Sequence, residues 1–216
     1  DLNNFFASVT LLENQTLMGM PVASCGSKAE RHGIVLAKNE IAKKYGVKTA
    51  EAIWQAKGKC PDLVILPPNY EEYERFSVAA RNIYAKYTDK IEPFGIDECW
   101  LDVTGSQRLF GDGYSIAKKI KEEIKREIGI TVSVGVSFNK IFAKLGSDMK
   151  KPDAITQITV EDFKEKVWPL PCSDLLYCGR ATTAKLSHMG VRTIGDLAKL
   201  PPDLLQRKFG KNGVQL

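Results

Sequence analysis

An α+β fold, a sheet covered by helices on one side, is what this sequence predicts. Three observations predict it. Residues 71 to 137 read in the order helix, strand, strand, helix, strand. The two long helices in that run carry apolar residues along one face only, which suits burial against a single sheet face. After Ile155 strand-like segments largely vanish and short helices follow, so a second, helical part is expected. Packed with the opening segment, the first order is that of a ferredoxin-like sheet.

The elements follow in sequence. Asp1-Leu2-Asn3-Asn4-Phe5-Phe6 reads as the end of a strand turning into a helix. Residues 14–20 form a loop, punctuated by Gly19 and Pro21. Short apolar runs at 21–24 and 33–36 are strands. Asn39 caps a short helix that ends at Tyr45-Gly46, with glycine just past the end. Residues 50–59 read as a helix, with Ala52, Ile53 and Ala56 on one face, and Cys60-Pro61 stops it. Residues 63–66 are a buried strand.

Tyr73, Phe76, Ala80, Ile83, Tyr84 and Tyr87 recur at helical spacing, which predicts a long helix over 71–88. Strands at 90–96 and 99–103 follow. Ile116, Ile120, Ile124 and Ile128 mark a second long helix over 114–128, and 130–136 alternates as a half-buried strand. A helix over 138–149 turns Ile141, Phe142, Leu145 and Met149 inward. Short helices are expected at 160–167, 173–176, 181–189, 193–199 and 201–208. Pro169 and Pro171 mark joints, and Gly179, Gly190 and Gly195 fall in turns.

At 216 residues the chain can bury one sizeable core or form two to three small domains. No apolar run approaches a membrane span and the first residues are not a signal peptide, so a cytoplasmic protein without a membrane partner is expected. A net charge of +5 permits a nucleic-acid partner without demanding one. The five cysteines are scattered without metal-ligand spacing, which predicts free thiols. With only two histidines, a His-based nucleophile or metal site is not expected.

The chemistry concentrates at Phe94-Gly95-Ile96-Asp97-Glu98-Cys99-Trp100-Leu101-Asp102-Val103. Neighbouring side chains on a regular strand point to opposite faces, so Asp97 and Glu98 serve one site only if the chain bends there. Gly95 allows the bend. An isolated Asp-Glu pair is more often an exposed turn. In a ferredoxin-like layout, however, the end of an opening strand and a hairpin tip lie side by side. Asp1 would then join Asp97 and Glu98 in a hard oxygen site of the kind magnesium prefers.

Several motifs in order carry a resemblance. Asp1-x-x-x-Phe5-Phe6-Ala7-Ser8-Val9 opens the chain, and Gly46-Val47 follows a short helix. Ile96-Asp97-Glu98-x-x-Leu101-Asp102 comes next, then Val134-Gly135-Val136-Ser137-x-Asn139-Lys140-x-x-Ala143-Lys144, then Lys151-Pro152. Together they resemble the Y-family translesion DNA polymerases of the DinB and UmuC type. Gly190-Val191-x-Thr193-Ile194-Gly195-Asp196-Leu197 resembles the helix-hairpin-helix of that family's thumb.

The resemblance implies a ferredoxin-like palm over 1–13 and 70–158, small α/β fingers over 14–69 and a helical thumb over 159–216. It implies a low-fidelity DNA-directed DNA polymerase acting in damage tolerance on primer-template DNA and dNTPs. Two Mg²⁺ ions would be held by Asp1, Asp97, Glu98 and the Leu2 carbonyl, with Asp97 and Glu98 catalytic. Phe6 matches the steric gate over the sugar of the incoming nucleotide, beside Phe5, for which core packing is the preferred reading. Lys43 and Lys151 match residues on the triphosphate. Lys140, Lys144, Arg180 and Lys185 are candidate DNA contacts. A sliding clamp would be reached through regions outside this chain.

Where many members of that family have Tyr-x-x-Arg on the triphosphate, this chain has Glu40-x-x-Lys43, with Lys38 as a possible substitute cation. Tyr177 and Cys178 replace part of the usual Gly-x-Gly of the thumb. A strand before Asp1 and a further DNA-gripping domain after Leu216 are expected in the native protein. Two other classes are weighed against this one. A signalling cyclase shares the palm and the acidic pair but gives no reason for Phe5-Phe6. A non-catalytic scaffold gives no reason for all three carboxylates.

Overall fold

The computed structural model describes residues 1–26 and 33–216; His32 lies outside them. The fold is mixed helix and strand, as expected. It divides into two compact units, Asp1–Ser133 and Val134–Leu216.

The first unit opens with α1, Phe5–Glu13. Three strands follow, β1 (Val22–Cys25), β2 (Val35–Lys38) and β3 (Val64–Leu66), and β1 lies between the others, antiparallel to β2 and parallel to β3. Two helices are threaded between β2 and β3: α2 (Glu40–Lys44) and α3 (Ile53–Lys59). Asn39 caps α2 as expected, its side chain accepting from the Ala42 N–H at 3.0 Å. In contrast, α3 begins three residues later than the sequence predicts. Ala50 N–H donates to the Val35 carbonyl at 2.8 Å and Val35 N–H donates to the Glu51 carbonyl at 3.0 Å. Ala50 turns with a left-handed φ of 65°, Ala52 then pairs with Ile34, and Ile53 is the first residue of the helix.

Next come α4 (Tyr70–Ala85), the hairpin β4 (Ile91–Pro93) and β5 (Cys99–Leu101), a short α5 (Gln107–Phe110) that the sequence did not announce, and α6 (Gly113–Glu127). The buried stripe of α4 is Tyr73, Ser77, Ala80, Ile83 and Tyr84, so a serine occupies the place expected for Phe76. That of α6 is Ile116, Ala117, Ile120, Glu123 and Ile124. Glu123 is the anomaly, a carboxylate only 8 % exposed. It accepts hydrogen bonds from Lys86 and, at 2.6 Å, from the Tyr87 hydroxyl.

Those two hydrogen bonds, Lys86 first, hold the Glu123 carboxyl below the usual range against the opposing pull of burial. A depressed carboxyl stabilises the fold above its unfolded pKa and ceases to do so as pH falls through its folded one. Acidification below about pH 4.5 should therefore weaken the fold, and Glu123→Gln should flatten that part of the stability curve while lowering the neutral-pH plateau. Urea melts across pH 3 to 7, roughly the window in which carboxyls titrate, test this; an unchanged acid limb in the variant contradicts it.

The strand expected at 130–136 is two things. Residues 131–133 pair with the opening segment, whereas β6 is Val134–Ser137 and pairs in parallel with β7, Ile155–Ile158. β7 is a correction, since strands were expected to end at about that point; at four residues it is too short to show a period. α7 (Lys140–Met149) connects β6 to β7 and lies directly on β6. A Cβ on Gly135 would sit 1.8 Å from the Ala143 carbonyl oxygen. Gly135→Ala should cost about 3 kcal/mol or more in a urea melt, because two backbones must part. Wild-type stability in that variant would mean the approach is looser than the geometry says.

The rest of the second unit is helical: α8 (Phe163–Val167), α9 (Arg180–His188), α10 (Ile194–Ala198), α11 (Pro202–Phe209) and α12 (Lys211–Gln215). A single 3-10 turn, Cys172–Asp174, replaces the helix expected at 173–176. Gly195 is not in a turn. It is buried inside α10, where a Cβ would meet Trp168 at 3.0 Å, so its absent side chain serves packing. All five cysteines are free, and burial pushes the Cys25 and Cys172 thiols up to about 11.

Candidate active site

The turn between β4 and β5 bends as its glycine allows. Gly95 has φ 81°, and Phe94 N–H donates to the Glu98 carbonyl at 2.8 Å to close the tip. Phe94 and Trp100 pack across it with ring centroids 4.7 Å apart. Two further contacts clamp the turn from outside. The Ser77 hydroxyl, from the buried face of α4, donates to the Ile96 carbonyl. Leu2 N–H donates to the Asp97 carbonyl at 3.0 Å.

The opening residues are held on their other side as well. Ser133 N–H donates to the Asp1 carbonyl at 3.0 Å, Asn3 N–H donates to the Thr131 carbonyl at 2.9 Å, and Leu2 faces Val132. Asn3 is buried, its amide donating to the Ser133 hydroxyl at 2.9 Å. Asp1-Leu2-Asn3 thus lies between the acidic turn and residues 131–133. All three predicted carboxylates, Asp1, Asp97 and Glu98, are half-buried on adjoining segments, and Leu2 is buried between them. Around them burial pushes the Tyr84 hydroxyl and the Cys99 thiol above their ordinary ranges, and Asp97 adds to both shifts.

Among the described residues, no three His, Cys, Asp or Glu side chains are gathered closely enough to hold a metal ion. Like-charged carboxylates repel at ligand distance, so convergence is driven by a cation. The donor chemistry, hard oxygen throughout, and the hydrogen-bonded backbones do fit a magnesium-type ion.

Phe5 and Phe6 part company. Phe5 is 3 % exposed and belongs to the core. Phe6 is half-buried, with one ring face stacked on Tyr73 at 4.1 Å and 7° and a near-perpendicular contact with the Tyr70 ring. Tyr73 is itself fully buried, its hydroxyl within 3.1 Å of those of Thr10 and Ser24. The sequence marked Tyr73 only as part of a helical stripe; nothing in its spacing announced the stack. Lys43 is exposed on α2, 3.5 Å from Glu40.

In the second unit Lys144 and Lys151 share one carboxylate, Asp148, at 2.7 and 2.8 Å. Burial works to raise the Asp148 carboxyl, but the hydrogen bonds from both lysines outweigh it and hold it low. Lys144 is thus half-buried and paired. Lys140, Arg180 and Lys185 are exposed.

The sequence pattern described as the impB/mucB/samB family matches residues 1–148. That described as the thumb domain of DNA polymerase iota matches residues 173–216. A DNA polymerase IV of Acetivibrio thermocellus is 61 % identical over 216 residues, covering 100 % of this chain and 54 % of that protein. DNA polymerase IV 2 of Bacillus subtilis is 42 % identical, covering 99 % of this chain and 52 % of its own length. Among solved structures, DinB from Sulfolobus solfataricus superposes with TM-score 0.89 at 31 % identity, over 100 % of this chain and 63 % of its own. An insertion ternary complex of Dbh DNA polymerase superposes with TM-score 0.92 at 32 % identity and the same coverage.

The fold is that of the Y-family DinB and Dbh structures. More narrowly, the chain belongs to the impB/mucB/samB family. It spans about half the length of the curated relatives it matches. No helix among the described residues is long and apolar enough to cross a membrane.

Proposed function

We propose that this chain carries the catalytic part of a template-directed DNA polymerase of translesion type, which adds nucleotides from dNTPs to a primer 3′-hydroxyl. The observation that carries the reading is the hydrogen bond from Leu2 N–H to the Asp97 carbonyl, which sets the segment bearing Asp1 against the turn bearing Asp97 and Glu98. Those three carboxylates and the Leu2 carbonyl are the groups that would hold two magnesium ions. Bound there, the ions would lower the pKa of the primer hydroxyl and offset charge on the departing pyrophosphate. Phe6 would lie under the sugar and Lys43 beside the triphosphate; the same role for Lys151 rests on resemblance alone. The palm, fingers and thumb follow the ranges given above. Damage tolerance, a cytoplasmic location and clamp binding by other regions belong to the same reading.

Primer extension with Mg²⁺ and the four dNTPs separates this from the alternatives. A polymerase lengthens the primer according to template. A cyclase consumes free nucleotide and ignores the primer. A scaffold does neither, and either of these outcomes overturns the reading.

A further inference from the structure

Glu40 stands where its charge alone would oppose a triphosphate, yet its surroundings give it another role. Its Oε1 accepts a hydrogen bond from Asn4 Nδ2 at 2.9 Å and faces Lys43 Nζ at 3.5 Å. Asn4 immediately precedes α1, two residues before Phe6, and Glu40 is the first residue of α2, which carries Lys43. The contact therefore joins segments 36 residues apart in the chain.

Asn4 is built for that reach. Its backbone is left-handed, φ 47° and ψ 40°, a conformation rare outside glycine that asparagine tolerates. It stands at the N-cap of α1 but makes no side-chain cap there. Its amide goes to Glu40 instead. An ion pair between groups as exposed as Glu40 and Lys43 contributes little by itself. A carboxylate already oriented by an amide is a more effective partner, because less freedom is lost when the lysine joins it. Lys38 also lies within electrostatic reach of both Glu40 and Lys43, so Glu40 offsets two neighbouring positive charges.

We propose that Glu40 is a positioning residue: held by Asn4, it ties the helix that carries Lys43 to the segment that carries Phe6, so that the groups for the phosphate and sugar ends of one nucleotide stay in register. The inference rests on the nucleotide-binding reading of those two residues and goes beyond it by naming what holds them.

A double-mutant cycle tests it in the complete gene product that carries this sequence. Asn4→Gly keeps the left-handed backbone and removes the amide; Glu40→Ala removes the acceptor; Glu40→Gln keeps an acceptor oxygen. Each of the first two should raise KM for dNTP about tenfold, and the double variant should be no worse than either alone. The kcat should stay within about threefold, because the carboxylates of the hairpin are untouched. Glu40→Gln should restore most of the affinity. Additive single effects, a lower KM in Glu40→Ala, or a Glu40→Gln variant as poor as Glu40→Ala would each overturn the proposal. The same cycle read on dTTP binding by calorimetry stays decisive if the wild-type protein extends no primer, an outcome that overturns the polymerase reading instead. Thermal melts identify any variant that fails to fold, and the pair Asn4→Gly and Glu40→Gln then carries the comparison.

Discussion

Asp97→Ala and Glu98→Ala are each expected to lower nucleotide incorporation by about 10³-fold or more, since charge stabilisation by bound ions supplies several kcal/mol of the barrier. The fold should survive both changes. What holds the turn is main chain and neighbours: Gly95, the Phe94–Glu98 backbone bond, the Ser77 hydroxyl and the Leu2 N–H. None of these uses the Asp97 or Glu98 side chain. Both side chains are half-buried on a turn, so truncation opens no sizeable cavity. Single-nucleotide extension measured beside a thermal melt distinguishes the outcomes. Near-normal extension by both variants would remove the hairpin from the centre of the mechanism. Lost extension with a collapsed melting temperature would make the two acids structural.

The acidic turn was legible because glycine and paired carboxylates between apolar residues admit few arrangements. What clamps it was not. Ser77 sits in a helical stripe where an aromatic residue had been expected, and a hydroxyl bonded to a distant carbonyl leaves no periodic trace. The stretch 130–137 alternates throughout, so its pattern could not say that pairing passes from Leu2 to β7 between Ser133 and Val134. Residues 50–52 have a helical composition, but the backbone of β2 claims them first. Gly195 looked like a turn because most isolated glycines are; only the proximity of Trp168 reveals a packing role. Lys144 and Lys151 read as free cations until α7 places Asp148 within reach of both. Asp148 lies only four and three residues from its lysines, but in the other cases the local pattern was overridden by a partner distant in sequence.

The same distinction separates the two adjacent phenylalanines, and here it decides a measurement. Dexoy and ribo nucleotides differ by one hydroxyl, and a flat side chain beneath the sugar can exclude it by contact alone. On the proposed reading Phe6 would do such work, and what lies behind it supports that. One face is stacked on Tyr73, and Tyr73 is fixed by burial and by its hydroxyl contacts to Thr10 and Ser24. A ring backed in this way yields little when pressed, whereas an unsupported one would turn aside. Phe6→Ala should therefore keep dNTP incorporation and admit rNTPs about 10²-fold more readily, the usual scale for discriminating a single added hydroxyl by shape. Phe5→Ala should leave that ratio alone and cost stability instead, about 3–5 kcal/mol for a fully buried ring. The ratio of dNTP to rNTP efficiency, taken with a urea melt for each variant, reads both effects at once. If Phe6→Ala unfolds the protein with the ratio unchanged, the stack on Tyr73 is core packing and sugar choice is made by another group.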